Sequence, residues 1–321
     1  MLLRRLVTIP LLFVTAALLA ILALPLLIVA SAISKLTWAK GATSALLFVL
    51  GYVYFQLGGM RRLFFTWLLH RNHDDYIDRN RAVQYWWANS LKRWVQHCFR
   101  LRFQLSGTEA LHGRPCMVFP RHASLADTVV PIVFYGSPQK VRLRYVLKRE
   151  LLWDPCLDVG GNRVPCHFVD RSGQDSQGAV RAVRALTAGV GEVEGIAMFP
   201  EGTRYTPKKA AKLAQSEKPE LRAMIERWPN LLPPRMGGTL AMLEANPGLD
   251  ILFIAHSGFE PAAELHELLS GAWIGADIRL HCWRVKFEDT PEASKHREFI
   301  LAQWDQMQTI VSKLAAGESC A

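Results

Sequence analysis

Residues 6–34 carry no charged side chain, and neither do residues 41–60. A run of about 20 apolar residues crosses the hydrocarbon of a bilayer, so each stretch is long enough for a membrane helix. Arg4 and Arg5 precede the first run, Lys35 and Lys40 separate the two, and Arg61 and Arg62 follow the second. Two crossings with both ends cytoplasmic leave four arginines on the side that basic residues prefer. The lysines of the short link favour instead a hairpin dipping into one leaflet, with Pro10 and Pro25 helping it bend. Both forms stay open. Ala30-Ser31-Ala32 imitates a signal-peptide cleavage site, but such peptides have an apolar core of about 7–15 residues, far shorter than this run. The sequence predicts a membrane-anchoring helical hairpin over residues 1–65.

The net charge of +10 is distributed unevenly: +4 in residues 1–60, +6 in 61–108, and none in the remainder. A nucleic-acid binder would place its basic patch on the folded domain. Basic groups beside apolar segments suit an anionic lipid surface instead, and no nucleic-acid partner is expected. Between Arg79 and Phe99, Val83, Trp87, Leu91, Trp94, Val95 and Cys98 recur at helical spacing among basic residues. Residues 66–100 therefore predict a juxtamembrane amphipathic helix, packed on the protein or lying at the lipid interface. Six cysteines are scattered without a CxxC pair, which reads as reduced thiols and predicts no metal.

Beyond residue 100 short apolar runs alternate with helical patterns. Leu101, Phe103 and Leu105 alternate with polar neighbours, and 141–147 repeats that pattern. The runs 116–119, 167–169, 196–199 and 251–255 suit interior strands. Helices are expected at 124–134, 177–188, 219–228 and 291–315. The alternation predicts an α/β fold, a central and mostly parallel sheet flanked by helices, over 101–321. The basic stretch 205–218 reads as an insertion or mobile loop.

His122 and Asp127 form an H-x4-D pair just after the run 116–119. Spacing alone is weak evidence, because His70/Asp75 and His73/Asp78 share it. Those two pairs lie in a polar stretch with no strand before it and read as solvated. His122 would emerge at a strand's end, where α/β folds present reactive side chains beside a helix start. Ser124-Leu125-Ala126-Asp127 also fits a helix-capping pattern, which keeps the carboxylate near His122. A second motif, Phe199-Pro200-Glu201-Gly202-Thr203-Arg204, follows another strand-like run. Gly202 lets the backbone approach a ligand closely. Thr203 and Arg204 supply donors, and a guanidinium grips phosphate in a bidentate way. Glu201 would orient that arginine or accept from a substrate hydroxyl.

The two motifs, in this order and at this spacing, resemble the 1-acylglycerol-3-phosphate O-acyltransferase (lysophosphatidate acyltransferase) family of glycerolipid acyltransferases, over about residues 100–260. Leu147-Lys148-Arg149-Glu150-Leu151, Pro155 and Arg171 are similar to the family's middle block, which implies phosphate binding by Lys148 and Arg171. Asn230-Leu231-Leu232-Pro233-Pro234 is similar to a membrane-anchored branch. There are departures: Arg121 where the family usually has Asn, Asp158 where it has Gly, and a poor match of its late proline block at Ile254-Ala255-His256. The resemblance implies an acyltransferase domain over 101–321. It would move a fatty acyl group from acyl-CoA or acyl-carrier protein to the hydroxyl of a lysophospholipid, 1-acylglycerol-3-phosphate first. His122 would be the general base and Asp127 would hold its tautomer, with no covalent acyl-enzyme and no cofactor beyond the thioester co-substrate. It further implies a membrane enzyme with its domain on the cytoplasmic side, meeting phospholipid and lysophospholipid there. Another lysolipid or glycerol 3-phosphate as acceptor stays open, as does a non-catalytic lipid-binding protein on the same fold. A hydrolase acting through Ser257 and His256 lacks the G-x-S-x-G elbow.

Overall fold

The computed structural model describes residues 2–169, 176–262 and 265–320. Along the chain run α1 (Leu2–Leu36), α2 (Ala42–His70), α3 (Tyr76–Phe99), β1 (Arg102–Ser106), β2 (Cys116–Pro120), β3 (Arg142–Lys148), α4 (Pro155–Gly161) and β4 (Cys166–Val169). There follow α5 (Ser176–Thr187), β5 (Glu194–Ala197), α6 (Pro207–Ala214), α7 (Pro219–Arg227), α8 (Met236–Glu244), β6 (Asp250–Ser257), β7 (Asp277–Val285) and α9 (His296–Ala316). The chain divides into two compact units, one of Met1–Arg102, Leu147–Phe168 and Leu265–Ala276, the other of Phe103–Val146, Val169–Glu264 and Asp277–Ala321.

In the first unit, α1 and α2 are each long and apolar enough to cross a membrane. Pro10 and Pro25 lie inside α1, which runs on through both. An apolar medium favours this, since a helix there keeps its backbone bonds wherever it can. Leu11, Ile21 and Leu24 of α1 remain 60–74% exposed, as on a surface meant for hydrocarbon rather than water. α2 is different, because glycines let α3 come close. A Cβ on Gly51 would sit 1.9 Å from Trp94 Nε1, and that indole donates to the Leu47 carbonyl at 2.9 Å. Val83, Trp87, Leu91 and Cys98 are buried on α3, the apolar stripe their spacing predicts.

Polar groups fasten this unit from within. Arg4 Nη2 and Arg5 Nη2 meet the carboxylate of Asp158 at 2.9 and 3.1 Å. The acidic residue that departs from the family pattern is therefore the counter-ion for the chain's first two arginines. Asp154 caps α4 by accepting from Leu157 N at 2.9 Å, and its other oxygen accepts from Tyr52 and Gln56 of α2.

Among the described residues seven strands form one sheet in the order β1-β7-β6-β2-β5-β3-β4. β3, β5, β2 and β6 are mutually parallel, and β7 returns antiparallel to β6. This is the expected α/β architecture. Every residue of β2 and β6 is buried, which follows from unbroken apolar runs in strands covered on both faces. Met117, Phe119, Ile251 and Phe253 share a core with Trp228 of the segment after α7 and with Ile300, Trp304, Met307 and Val311 of α9. Trp304 Nε1 donates to the Leu232 carbonyl at 3.0 Å, so this buried indole keeps its hydrogen bond.

Three local readings change. The helix expected at 124–134 is a 3-10 turn, Ala126–Val129, followed by a π turn, Ile132–Gly136, because Pro131 between them has no N–H to continue an α-helix. The expected loop 205–218 contains α6, started by Thr206, whose hydroxyl accepts from Lys209 N, with Pro207 at the first helical position. β7 has no counterpart among the expected strands, although Ile278, Leu280 and Cys282 alternate with less buried neighbours as in a strand covered on one face.

Candidate active site

β5, β2 and β6 are adjacent and parallel, so their C-terminal ends open on one edge of the sheet. Each delivers polar groups there. His122 lies two residues past β2, Glu201 lies four past β5, and His256 is the penultimate residue of β6. α/β folds place ligand chemistry at this edge because the strands end while their helices begin.

The 199–205 segment is bonded to both peptide groups of His122. Glu201 Oε1 accepts from His122 N at 2.7 Å, and Tyr205 N donates to the His122 carbonyl at 2.7 Å. Glu201 Oε2 accepts from Leu232 N at 2.9 Å, so both of its oxygens are held by main-chain donors. Burial pushes this carboxyl up to about 8, a rise that Asp127 reinforces and the two N–H groups and Arg121 oppose. Its geometry is that of a brace for residue 122.

His122 Nδ1 lies 3.3 Å from Asp127 Oδ2. A carboxylate only accepts, so Nδ1 carries the hydrogen and Nε2 keeps its lone pair. The same Oδ2 accepts from the N–H groups of Ala123 and Ser124, the latter at 2.6 Å, which fixes the carboxylate. Burial acts to raise the Asp127 pKa, but the imidazoles of His256 and His122 and the Ser124 N–H outweigh it and hold the group below its ordinary value. Capping and orientation of the histidine are thus done by one oxygen. The Phe199 ring lies 4.5 Å from the imidazole, centroid to centroid.

Beneath this pair sits a histidine that the motifs do not contain. His256 is fully buried, with Nε2 3.6 Å from Asp127 Oδ1 and 3.0 Å from the Arg121 carbonyl. Burial lowers its pKa, against the Asp127 carboxylate, which pulls it up. Arg121 is also buried: its guanidinium donates to the carbonyls of His256 (2.6 Å) and Asn230 (2.9 Å) and to Glu260. Burial acts to raise Glu260, but the charge and hydrogen bond of Arg121 hold it below its usual range. The sequence signal for this layer is slight, a histidine directly after the apolar run 251–255 and an arginine where asparagine is usual.

Gly202 has φ +69°, in the region glycine prefers, and a Cβ there would meet Arg235 Cδ at 2.5 Å. Thr203 Oγ1 and the Arg204 carbonyl both accept from Lys209 Nζ, at 2.8 and 2.9 Å, so α6 is tied back to the motif. The structure therefore brings together His122, Asp127, Glu201, Gly202, Thr203 and Arg204 in the second unit. Lys148, the last residue of β3, belongs to the first unit and pairs with Glu150 at 2.8 Å. Arg171 lies outside the described residues. Among the described residues, three metal-ligating side chains converge only at His70, His73 and Asp75, in the first unit. At His122 the groups on hand are suited to moving a proton.

The sequence profile of the family described as Acyltransferase matches residues 102–246. No curated protein matches the chain in sequence. The fold is similar to that in the crystal structure of the 1-acyl-sn-glycerophosphate (LPA) acyltransferase PlsC from Thermotoga maritima, with a TM-score of 0.56 and 15% identity. That likeness covers 85% of this chain and 96% of the other.

Proposed function

We propose, from the match of residues 102–246 to the family described as Acyltransferase, that the protein acylates the free hydroxyl of a lysophospholipid. The acceptor we favour is 1-acylglycerol-3-phosphate, giving phosphatidate. The thioester donor is acyl-CoA or acyl-carrier protein. The observation that carries this reading is His122, with Nδ1 on Asp127 and both peptide groups on the 199–205 segment.

In this mechanism Nε2 of His122 takes the proton of the acceptor hydroxyl as its oxygen attacks the thioester carbonyl. The tetrahedral adduct collapses with loss of the thiolate, which recovers the proton from the imidazolium. Asp127 stabilises that imidazolium, as a buried carboxylate does in a hydrolase triad. Following the family resemblance, Arg204 and Arg171 hold the acceptor's phosphate. The apolar helices α1 and α2 seat the enzyme on the cytoplasmic face of a membrane, where a lysolipid acceptor already resides.

The test is mass spectrometry of products from purified protein offered mixed lysolipids and both donors. Phosphatidate as the main product supports the reading. Binding of lysolipid without any acylated product would overturn it in favour of a silent lipid binder. His122→Ala should lower turnover about 10²–10⁴-fold while the protein stays folded, the usual contribution of a positioned base. Arg204→Ala should chiefly raise KM for the phosphorylated acceptor, and an unchanged KM would remove it from the phosphate site.

A further inference from the structure

Between the last turns of α2 and the first half of α3 lies a cavity of about 620 Å³, wholly inside the first unit. That is ample for a lipid headgroup and the start of a chain, since small-molecule sites span about 300–1,000 Å³. Arg61, Arg62 and Arg79 line it, and no acidic residue does among the described residues. Its walls include Phe65, Leu69 and Trp86. The Arg62 guanidinium carbon lies 3.9 Å above the Trp86 ring, a stacking that fixes one cation against an apolar wall. Arg79 is steadied through Nε by Asp75 at 2.7 Å. That one carboxylate leaves the three arginines with a surplus of positive charge.

Two features select a lipid over a soluble anion. The arginines begin where the uncharged run 41–60 ends, the depth at which phosphate headgroups lie against a membrane helix. Phe65 and Leu69 are 49% and 61% exposed, so the cavity opens among side chains that prefer hydrocarbon. We propose that this cavity holds the headgroup of an anionic phospholipid of the surrounding bilayer, its phosphate among Arg61, Arg62 and Arg79 and its acyl chains leaving toward the uncharged run 41–60. None of the residues assigned to acyl transfer lines it, so the site stands or falls independently of the reaction.

The experiment titrates the detergent-solubilised full chain with phosphatidylglycerol, phosphatidylcholine or inorganic phosphate, and counts bound ligand by native mass spectrometry. One phosphatidylglycerol should be retained about tenfold or more in preference to phosphatidylcholine, because the arginines meet a net negative headgroup in the first and a zwitterion in the second. The triple change Arg61→Gln, Arg62→Gln, Arg79→Gln should abolish that preference. Lys35→Gln, Lys40→Gln, Arg100→Gln, which removes equal charge at the far ends of α2 and α3, should leave it intact. The single change Arg61→Gln, at an exposed side chain, should weaken retention even where the triple variant fails to fold. Equal retention of both lipids, equal loss in the two triple variants, or phosphate binding as tight as the lipid would each overturn the proposal.

Discussion

Arg121 lies buried with its guanidinium shared among two carbonyls and the Glu260 carboxylate. Replacing it by alanine strands those acceptors. The expected cost is at the low end of about 3–5 kcal/mol, since Glu260 keeps 37% of its side chain exposed, and denaturant unfolding would measure it. Arg121→Lys should not rescue, because one ammonium cannot span the fork's three partners. Glu201 yields a second prediction. Glu201→Ala leaves the N–H groups of His122 and Leu232 without acceptors, at about 1–3 kcal/mol each. Its pH dependence has a definite sign. With its pKa at about 8 in the fold, the carboxyl holds a proton that the unfolded chain releases near roughly 4.3, so its contribution to stability falls as pH rises between those values. Asp127 runs the other way, but its depressed pKa confines that effect to acid below this window. His256, lowered by burial, opposes this up to about pH 6.5, so unfolding temperatures from about pH 7 to 8 should slope downward for the native chain and flatten in Glu201→Gln. Parallel profiles for the two proteins would refute the assignment.

At the scale of elements, the close approach of α2 and α3 depends on Gly51. Gly51→Ala places a methyl group 1.9 Å from Trp94 Nε1, so the indole must move and its bond to the Leu47 carbonyl must stretch. Overpacking of this kind costs about 1–3 kcal/mol, visible as a lowered Tm in detergent. Boundaries of other elements were legible to different degrees. The run 196–199 reads as strand, yet β5 ends at Ala197 and Met198 and Phe199 are buried beyond it. Hydrophobic runs report burial, and burial does not stop where strand pairing stops. α6 is hidden in the sequence because its lysines mask a Thr-Pro helix start, whereas α3, α5 and α7 have apolar stripes that advertise them.

At the scale of the whole molecule, the N-terminal segment is also part of a folded unit. Arg4 and Arg5 answer the buried carboxylate of Asp158, 154 and 153 positions away along the chain. The double change Arg4→Gln, Arg5→Gln removes both cations and leaves Asn162 as a remaining side-chain donor to Asp158. The first unit should then unfold at lower temperature, and adding Asp158→Asn should restore much of the loss. A double variant as stable as the native chain would show that the carboxylate needs no counter-charge.

The amino-acid sequence by itself determined the apolar helices, the α/β alternation with its buried strands, and the location of both motifs at strand ends. These are properties of neighbouring residues, carried by run length and period. Only the tertiary structure decided which polar groups meet: Glu201 on the main chain of His122, His256 below Asp127, Arg121 on Glu260, Arg4 and Arg5 on Asp158. A buried polar side chain must find its partner among whatever strands and helices become adjacent, and that adjacency is set by packing across the chain rather than by spacing along it.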